Sequence, residues 1–338
     1  MNIIYAENLR KTYKVHHKEH GIKGSLKAIF KRQYEEKHAV NGINLEIKEG
    51  ALMGFIGPNG AGKTTTLKMM SGILVPTGGD LKVLEFSPWK REVNFRRKIS
   101  IVMGNRSQLL WDLPAMETFE LFKEMYAVPI NQYSADIKYL AELLDVEHLL
   151  KIQVRRLSLG ERMKMELIAA LIHRPSILFL DEPTIGLDLF AQRNIRDLLK
   201  KYNYEFGTTI LLTSHYLEDI KQICDSLVVI DKGQIIYDGQ TDKIIYSLGL
   251  HKFIKVTLTE PLDVLSFREL QDYITTYNEF EITFKIPKNK TNEIISHILQ
   301  SFHIEDLIIE DPAIEDVIEN VYKNGGASKR EFQFTKGV

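Results

Sequence analysis

The sequence has a single cysteine, Cys224, among 338 residues, so no disulfide can form within the chain. Its surroundings, IKQICDSLVVI, read as those of a reduced core thiol in a cytosolic protein. Long apolar runs are missing too. Nothing approaches the roughly 18 residues of a membrane-spanning helix, and the opening MNIIYAENLRKTYK lacks the basic, apolar and small-residue order of a secretion signal. The chain by itself is therefore expected to be soluble. Nor is there an excess of charge. With 44 Lys and Arg against 45 Asp and Glu the net is −1, so no global field draws in nucleic acid or anionic lipid, and any such attraction has to be local. Internal repeats and CxxC pairs are absent as well.

What remains is a composition of 44% hydrophobic and 26% charged residues, which sets aside disordered, collagen-like and low-complexity classes. At about 150 residues per domain, the length accommodates one large domain and a smaller one. Strand-like and helix-like segments alternate, as expected for an α/β core around a largely buried sheet. Strands are expected at 40–47, 51–56, 100–103, 176–180, 208–213 and 226–230. Helices are expected at 63–71, 116–126, 134–144, 160–173, 189–202 and 216–224. Residues 14–37 interrupt this pattern with Lys18, Lys23, Lys27, Lys31 and Arg32 around a stripe of Leu26, Ile29 and Phe30, and read as an inserted basic amphipathic helix. After about Leu248 a fresh βαβαβα pattern begins. Strands at 253–258, 281–286 and 306–310 alternate with helices at 262–277, 292–302 and 314–322, followed by a polar, Gly-rich tail at 324–338.

Gly57-Pro58-Asn59-Gly60-Ala61-Gly62-Lys63-Thr64 fits G-x-x-x-x-G-K-[ST], with the apolar strand ALMGFI before it and a helix-compatible stretch from Thr65 onward. Such a loop turns backbone N–H groups toward phosphate oxygens, aided by the positive end of the following helix. Lys63 is expected to reach the β- and γ-phosphates and the Thr64 hydroxyl to ligate Mg²⁺. A second element, ILFLDE at 177–182, is an apolar strand ending in two acids. A buried strand does not hold two carboxylates cheaply, so they should emerge at its carboxyl end beside the phosphate loop. Asp181 would hold Mg²⁺, directly or through water, and Glu182 would take a proton from attacking water.

With these elements in place the sequence resembles the ATP-binding cassette (ABC) ATPases. Between them lies Leu157-Ser158-Leu159-Gly160-Glu161-Arg162, similar to the family's LSGGQ signature. Asp181-Glu182-Pro183-Thr184 follows, then Gly186-Leu187-Asp188, similar to the D-loop, and Thr213-Ser214-His215, similar to the switch-histidine segment. The resemblance covers roughly residues 2–240. It implies a P-loop NTPase α/β fold with a helical subdomain, and ATP and Mg²⁺ as cofactors. Tyr13 would stack on adenine and Gly57 to Thr65 would hold the nucleotide. Ser158, Gly160 and Glu161 would contact the nucleotide of a second copy of the chain in a head-to-tail dimer, with Asp188 in the D-loop, and His215 would bond the γ-phosphate and position water. On physical grounds, a serine hydroxyl and backbone amides opening a helix do make an anion site.

Three departures stand out. Leu159 replaces the first signature glycine. Glu161 replaces glutamine and brings a negative charge toward phosphates, which should weaken closure unless a neighbour such as Arg162 or Lys164 offsets it. The family's Q-loop glutamine falls to either Asn105 or Gln108, of which Asn105 lies nearer the strand and is preferred.

Within the family the chain resembles the ATPase subunits of ABC-2-type exporters, through LSLGERMK, RSQLLWDLP and the long insertion. The closing EDPAIEDV at 310–317 is similar to the end of C-terminal domains on such ATPases. The implied organisation is a cassette at 1–245, a small C-terminal α+β domain at 250–323 and a tail at 324–338. The implied assembly is peripheral, on the cytoplasmic face of the membrane through separate ABC-2-type permease subunits, without nucleic acid. The surface around 111–116 would meet the permease and the basic insertion would face the leaflet or the permease. The alternative is a soluble ABC-type ATPase acting on ribosomes or nucleic acid; one cassette, a short segment between loop and signature and no CxxC pair weigh against it.

Overall fold

The computed structural model describes residues 2–16, 34–104, 106–214, 216–248, 251–261, 270–301 and 303–310. The chain divides between Gly239 and Gln240 into two compact units. In chain order the first holds β1 (Asn2–His16), β2 (Tyr34–Lys48), β3 (Leu52–Ile56), α1 (Lys63–Met70), β4 (Gly78–Val83), α2 (Val93–Lys98), β5 (Ile99–Met103), α3 (Ala115–Tyr126), α4 (Ile130–Leu144), α5 (Leu159–Leu171), β6 (Ile177–Asp181), α6 (Leu189–Phe206), β7 (Thr209–Ser214), α7 (Leu217–Ile223), β8 (Ser226–Asp231) and β9 (Gln234–Gln240).

Six strands form one sheet in the order β5-β6-β7-β3-β8-β9, with β5, β6, β7, β3 and β8 paired in parallel. Every residue of β3 and β7 is buried, as are the first four of β6, and this accounts for the unbroken apolar runs of β3 and of residues 177–180 and for the apolar centre of β7 at 210–212. Because these strands run the same way, their carboxyl ends share one edge of the sheet, and polar side chains that must leave the core collect there.

A second, antiparallel sheet, β2-β1-β4, packs over α1. One hydrophobic core joins them. Leu67, Met69 and Met70 of α1 lie with Ile4, Leu9 and Ile47 of the antiparallel sheet and Phe55, Phe179 and Leu211 of the parallel one. The helix α1 is thus covered on two sides. Helices α3, α4 and α5 pack together as a helical subdomain.

The strands β1 and β4 were not read from the sequence, since charged residues interrupt both. The insertion also departs from expectation at its ends. Residues 14–16 and 34–37 continue the β1–β2 ribbon, with Val15 opposite Glu35 and Lys14 opposite Glu36, the latter a pair of opposite charges that favours the extension. The basic stripe from Lys18 to Arg32 lies outside the described residues.

The second unit contains α8 (Thr241–Leu248), β10 (His251–Leu258), β11 (Ile274–Tyr277), β12 (Glu281–Pro287), α9 (Thr291–Ser301) and β13 (Ile304–Glu310). Its antiparallel sheet has the order β11-β12-β10-β13. Ile254, Val256, Ile282, Phe284, Ile294 and Ile298 make a separate core. Of the helix expected over 262–277, residues 262–269 lie outside the described residues, 270–273 form a short 3-10 turn and the last four are a strand. Ile274-Thr275-Thr276-Tyr277 is β-branched and aromatic, and it pairs with β12 as an edge strand. The expected helix at 314–322 and the tail at 324–338 lie outside the described residues.

Phe284 is fully buried in the second core. Its replacement by Ala is expected to cost about 3–5 kcal/mol, read as a lower urea midpoint in far-ultraviolet circular dichroism. The fluorescence of Trp89 and Trp111, both in the first unit, should keep its midpoint; equal shifts in both signals would mean that the units unfold as one block.

Candidate nucleotide site

The loop from Gly57 to Gly62 leaves β3 and enters α1. Its glycines are dictated by what lies behind it. Gly57 has φ 156° and Gly62 φ 112°, and a Cβ at either would run into a backbone carbonyl, that of Ile230 for Gly57 and that of Ala39 for Gly62. The Gly233 N–H also donates to the Ala61 carbonyl at 2.8 Å. The loop therefore lies directly against the backbone of β2 and of the β8–β9 turn. Lys63 is buried at 4% exposure, and its ammonium donates to the carbonyls of Gly57 at 2.7 Å and Pro58 at 3.2 Å. Burial pushes the Lys63 amine below its ordinary value, and the carboxylates of Glu182 and Asp181 oppose that shift.

The acid pair meets this loop at the carboxyl edge of the sheet. Asp181 is opposite Thr213 in the β6–β7 register. Its Oδ1 accepts from the Thr64 hydroxyl at 2.7 Å and from the Thr213 hydroxyl at 2.8 Å. Within its motif Thr213 has no role that spacing assigns; its place directly opposite Asp181 is the signal that strand order supplies. Glu182, half-buried, sits at φ 55°, in the left-handed region that a non-glycine residue seldom adopts. Its N–H donates to Thr213 through both the hydroxyl, at 3.1 Å, and the carbonyl, at 3.2 Å, which turns the chain sharply out of the strand.

The signature opens α5 through a capping box. The Glu161 N–H donates to Ser158 Oγ at 3.3 Å, and the Ser158 N–H donates to Glu161 Oε2 at 2.8 Å. Glutamate at this position is thus accounted for by the helix itself. The two neighbouring basic residues named in the sequence have partners of their own. Arg162 lies over the Trp111 ring at 4.7 Å, and Lys164 donates to the Leu144 carbonyl at 2.9 Å; the Glu161 carboxylate itself accepts from the Ser158 N–H at the positive end of the helix. Gly160 abuts the start of α6, where a Cβ would meet the Ala191 Cβ at 3.0 Å. Asp188 caps α6 by accepting from the N–H groups of Phe190 at 3.0 Å and Ala191 at 2.9 Å, bonds that hold its carboxyl below the usual range.

Tyr13, 39% exposed, lies on the ribbon opposite Lys37, two residues beyond the Ala39 carbonyl that backs Gly62, and Lys11 approaches its ring at 5.4 Å. Of the two candidates after β5, the Gln108 amide donates to the Ile101 carbonyl at 2.7 Å and is engaged in holding its own turn. Asn105 and His215 lie outside the described residues.

The ABC transporter family model matches residues 40–185, and the model for the C-terminal domain of EvrA-like ABC transporters matches residues 250–310. The ABC transporter ATP-binding protein NatA of Bacillus subtilis is 31% identical over 63% of this chain and 88% of that protein. The chain belongs to the ATP-binding proteins of ABC transporters. The linearmycin resistance ATP-binding protein LnrL of B. subtilis is 28% identical over 86% of this chain and 96% of that protein. The daunorubicin resistance ATP-binding protein DrrA3 of Streptomyces coeruleorubidus is 33% identical over 63% and 67%. Among solved structures, the ATP-binding subunit of an ABC transporter overlays with a TM-score of 0.61 at 22% identity, covering 73% of this chain and 94% of that one. The dimeric cassette MJ0796 bound to ADP and Pi gives 0.59 at 24%, covering 70% and 98%; at these identities the two show the fold.

This ABC protein binds and hydrolyses ATP, and its phosphate loop tolerates no side chain at its rear. A Gly62→Ala substitution is expected to push the loop off the Ala39 carbonyl and weaken ATP binding at least tenfold, measured by titration with a fluorescent ATP analogue. Gly60→Ala, where a Cβ meets nothing within 4 Å, should weaken it less. Equal losses would mean that backbone strain, and not the contact with β2, decides the loop's shape.

Proposed function

We propose that this protein is the ATP-hydrolysing subunit of an exporter, closing as a head-to-tail dimer on two ATP molecules and driving separate ABC-2-type membrane subunits. The observation that carries the catalytic part is the junction at Asp181. A hydroxyl from the phosphate-loop helix and a carboxylate from the neighbouring strand meet at 2.7 Å. These are hard oxygen donors, suited to Mg²⁺, which takes one or two protein oxygens and completes its shell with phosphate and water. Thr64 would ligate the ion and Asp181 would hold it directly or through water. Bound Mg²⁺ would neutralise charge on the β- and γ-phosphates, and Lys63 would add its own positive charge there.

Glu182 follows directly at the turn and is the proposed general base, with His215 beside the γ-phosphate and Tyr13 against adenine. Across the dimer, Ser158, Gly160 and Glu161 would meet the second copy's nucleotide. The Ser158 hydroxyl acts as acceptor in the helix cap, which leaves its proton to donate to a phosphate. Supporting a second copy, Leu159, Ile185, Leu189 and Phe190 are exposed at 44%, 39%, 79% and 82% around the signature and the D-loop.

Coupling to a membrane subunit is supported by the segment after β5. Leu110, Trp111 and Leu113 are exposed, yet their backbone is fixed. Buried Glu166 of the signature helix accepts from the Ser107 hydroxyl at 2.5 Å and the Gln108 N–H at 2.9 Å, and Arg155 pairs with Asp112 at 3.1 Å. A push on Trp111 would therefore reach α5 and its signature as one body. Export, rather than import, rests on the relatives named for antibiotic resistance and Nod factor export; a relative named for methionine import also matches. No helix among the described residues is long and apolar enough to cross a membrane, which fits a transport path built by separate subunits.

Purification of the chain from native membranes should bring a membrane-spanning subunit with it; a chain recovered alone, or with ribosomes, would overturn the transporter reading. Glu182→Gln is expected to bind MgATP with parental affinity, slow hydrolysis about 10²–10⁴-fold and accumulate closed dimers by size-exclusion chromatography. Near-normal turnover removes Glu182 from the role of base. Ser158→Ala should spare ATP binding by the single chain and impair dimer closure, at a cost of about 1 kcal/mol to the helix; loss of binding in the monomer would contradict a contact made across the dimer.

A further inference from the structure

Asp219 belongs to none of the motifs discussed so far, yet two loops of the nucleotide site bond its carboxylate directly and a third is tied to it through Arg196 and Gln192. It lies on α7 and is 1% exposed. Its Oδ2 accepts from the Thr184 hydroxyl at 2.5 Å and from the Ser214 hydroxyl at 3.2 Å. Thr184 is two residues past Glu182, and Ser214 immediately precedes His215. Its Oδ1 accepts from Arg196 of α6, through Nε at 2.9 Å and Nη2 at 2.5 Å.

The arginine carries the network to the third loop. Arg196 Nη2 also donates to Gln192 Oε1 at 3.1 Å, and the Gln192 amide donates to the carbonyls of Leu187 at 3.1 Å and Thr184 at 3.4 Å. Leu187 immediately precedes Asp188. Thr184, Ser214 and Asp219 are all nearly inaccessible to water, and the Arg196 side chain is 12% exposed, so the pair is held without solvent to screen it.

We propose that Asp219, paired with Arg196, is a positioning residue for ATP hydrolysis, tying the turn that carries Glu182 and the end of β7 at Ser214 to a single buried carboxylate, and the turn before Asp188 to it through Arg196 and Gln192. The proposal rests on the catalytic reading given above and adds to it the reason why three separated loops keep one geometry. The turn at Glu182 is the one that needs such support, because its left-handed backbone is unfavourable for a side-chain-bearing residue and persists only where neighbouring contacts hold it. Thr213 holds the turn from the strand side, and Asp219 holds it from the helix side through Thr184. Asp219 touches neither the phosphate loop nor the Thr64–Asp181 junction through any of these bonds, so nucleotide affinity and turnover should separate.

The test compares Asp219→Asn, Arg196→Met and the milder Thr184→Val with the parent chain. Hydrolysis is measured with saturating MgATP and affinity by titration with a fluorescent ATP analogue. Asp219→Asn is expected to lower kcat at least tenfold with Kd for the analogue within about twofold of the parent. Thr184→Val, which removes one hydrogen bond and leaves the ion pair, should lower kcat by a smaller factor. A lowered thermal midpoint with kcat unchanged in Asp219→Asn would make the pair a purely structural bridge between α6 and α7 and overturn the proposal, as would equal losses in kcat and affinity. Amide hydrogen exchange of the same variants separates this inference from the catalytic reading. If the parent chain hydrolysed no ATP, that reading would fall. Faster exchange at 183–188 and 213–216 in Asp219→Asn would still uphold the anchoring, and unchanged exchange there would still reject it.

Discussion

The nucleotide site is organised around one hydrogen-bonded junction, the carboxylate of Asp181 between the hydroxyls of Thr64 and Thr213. It joins three elements distant in sequence: the helix that closes the phosphate loop, the strand that ends in the acid pair and the strand that leads to His215. The order of the sheet makes the junction possible. With β6 beside β7 and β7 beside β3, the ends of three buried strands lie within one or two hydrogen-bonding distances of each other. Because those strands are apolar along their lengths, a polar group at their ends has two outlets, solvent or another polar group of the same edge. Asp181, Thr64 and Thr213 satisfy each other there and remain together where a phosphate-bound cation would need oxygen donors.

The same requirement for satisfied polar groups explains the rear of the loop. A glycine loop that bonds phosphates through its N–H groups has to direct its other side at something that needs no side-chain space. Here that is the backbone of β2 and of the β8–β9 turn, through the Ala39 carbonyl and the Gly233 N–H. The antiparallel sheet is thus more than a lid on the core. Its β2 strand supplies the surface against which the loop is shaped, and the ribbon it forms with β1 carries Tyr13 past the same point.

Much of this was legible in the sequence, for physical reasons that also mark where legibility ended. The buried parallel strands stood out because burial on both faces leaves an unbroken apolar run, and the phosphate loop because its glycines answer a steric demand at fixed spacing. The strands β1 and β4 did not stand out, since one face of each meets charged surroundings and β-bulges break their alternation. The edge strand at Ile274–Tyr277 was hidden at the end of an apparent helical pattern, because four residues carry too little periodicity to separate the two. Within the site, Asp181 and Thr64 were readable by residue type and spacing. Thr213 and Asp219 were not, because each owes its place to what lies opposite it in three dimensions. The role expected of Gln108 as an alternative to Asn105 could not be separated by spacing, and it was the hydrogen bond to Ile101 that engaged the glutamine elsewhere.

The signature shows how a departure from a pattern can be explained by local structure and still bear on function. Glu161 stabilises the start of α5 through the capping box, and the partial positive charge of that helix end is already met by its carboxylate. On the proposed dimer, a γ-phosphate from the second copy would approach the same helix end. Two like unit charges about 4 Å apart repel by about 4 kcal/mol at an effective dielectric of 20, which exceeds the roughly 1 kcal/mol contributed by an N-terminal cap. The phosphate would therefore displace the Glu161 carboxylate from the Ser158 N–H rather than share the helix end with it. On that reading the Ser158 N–H would serve either the Glu161 carboxylate or the incoming phosphate, and closure would cost a bond that the open chain keeps. A glutamine there would cap the helix without the charge. The glutamate would then make closure depend more strongly on a bound nucleotide and on the cations that accompany it.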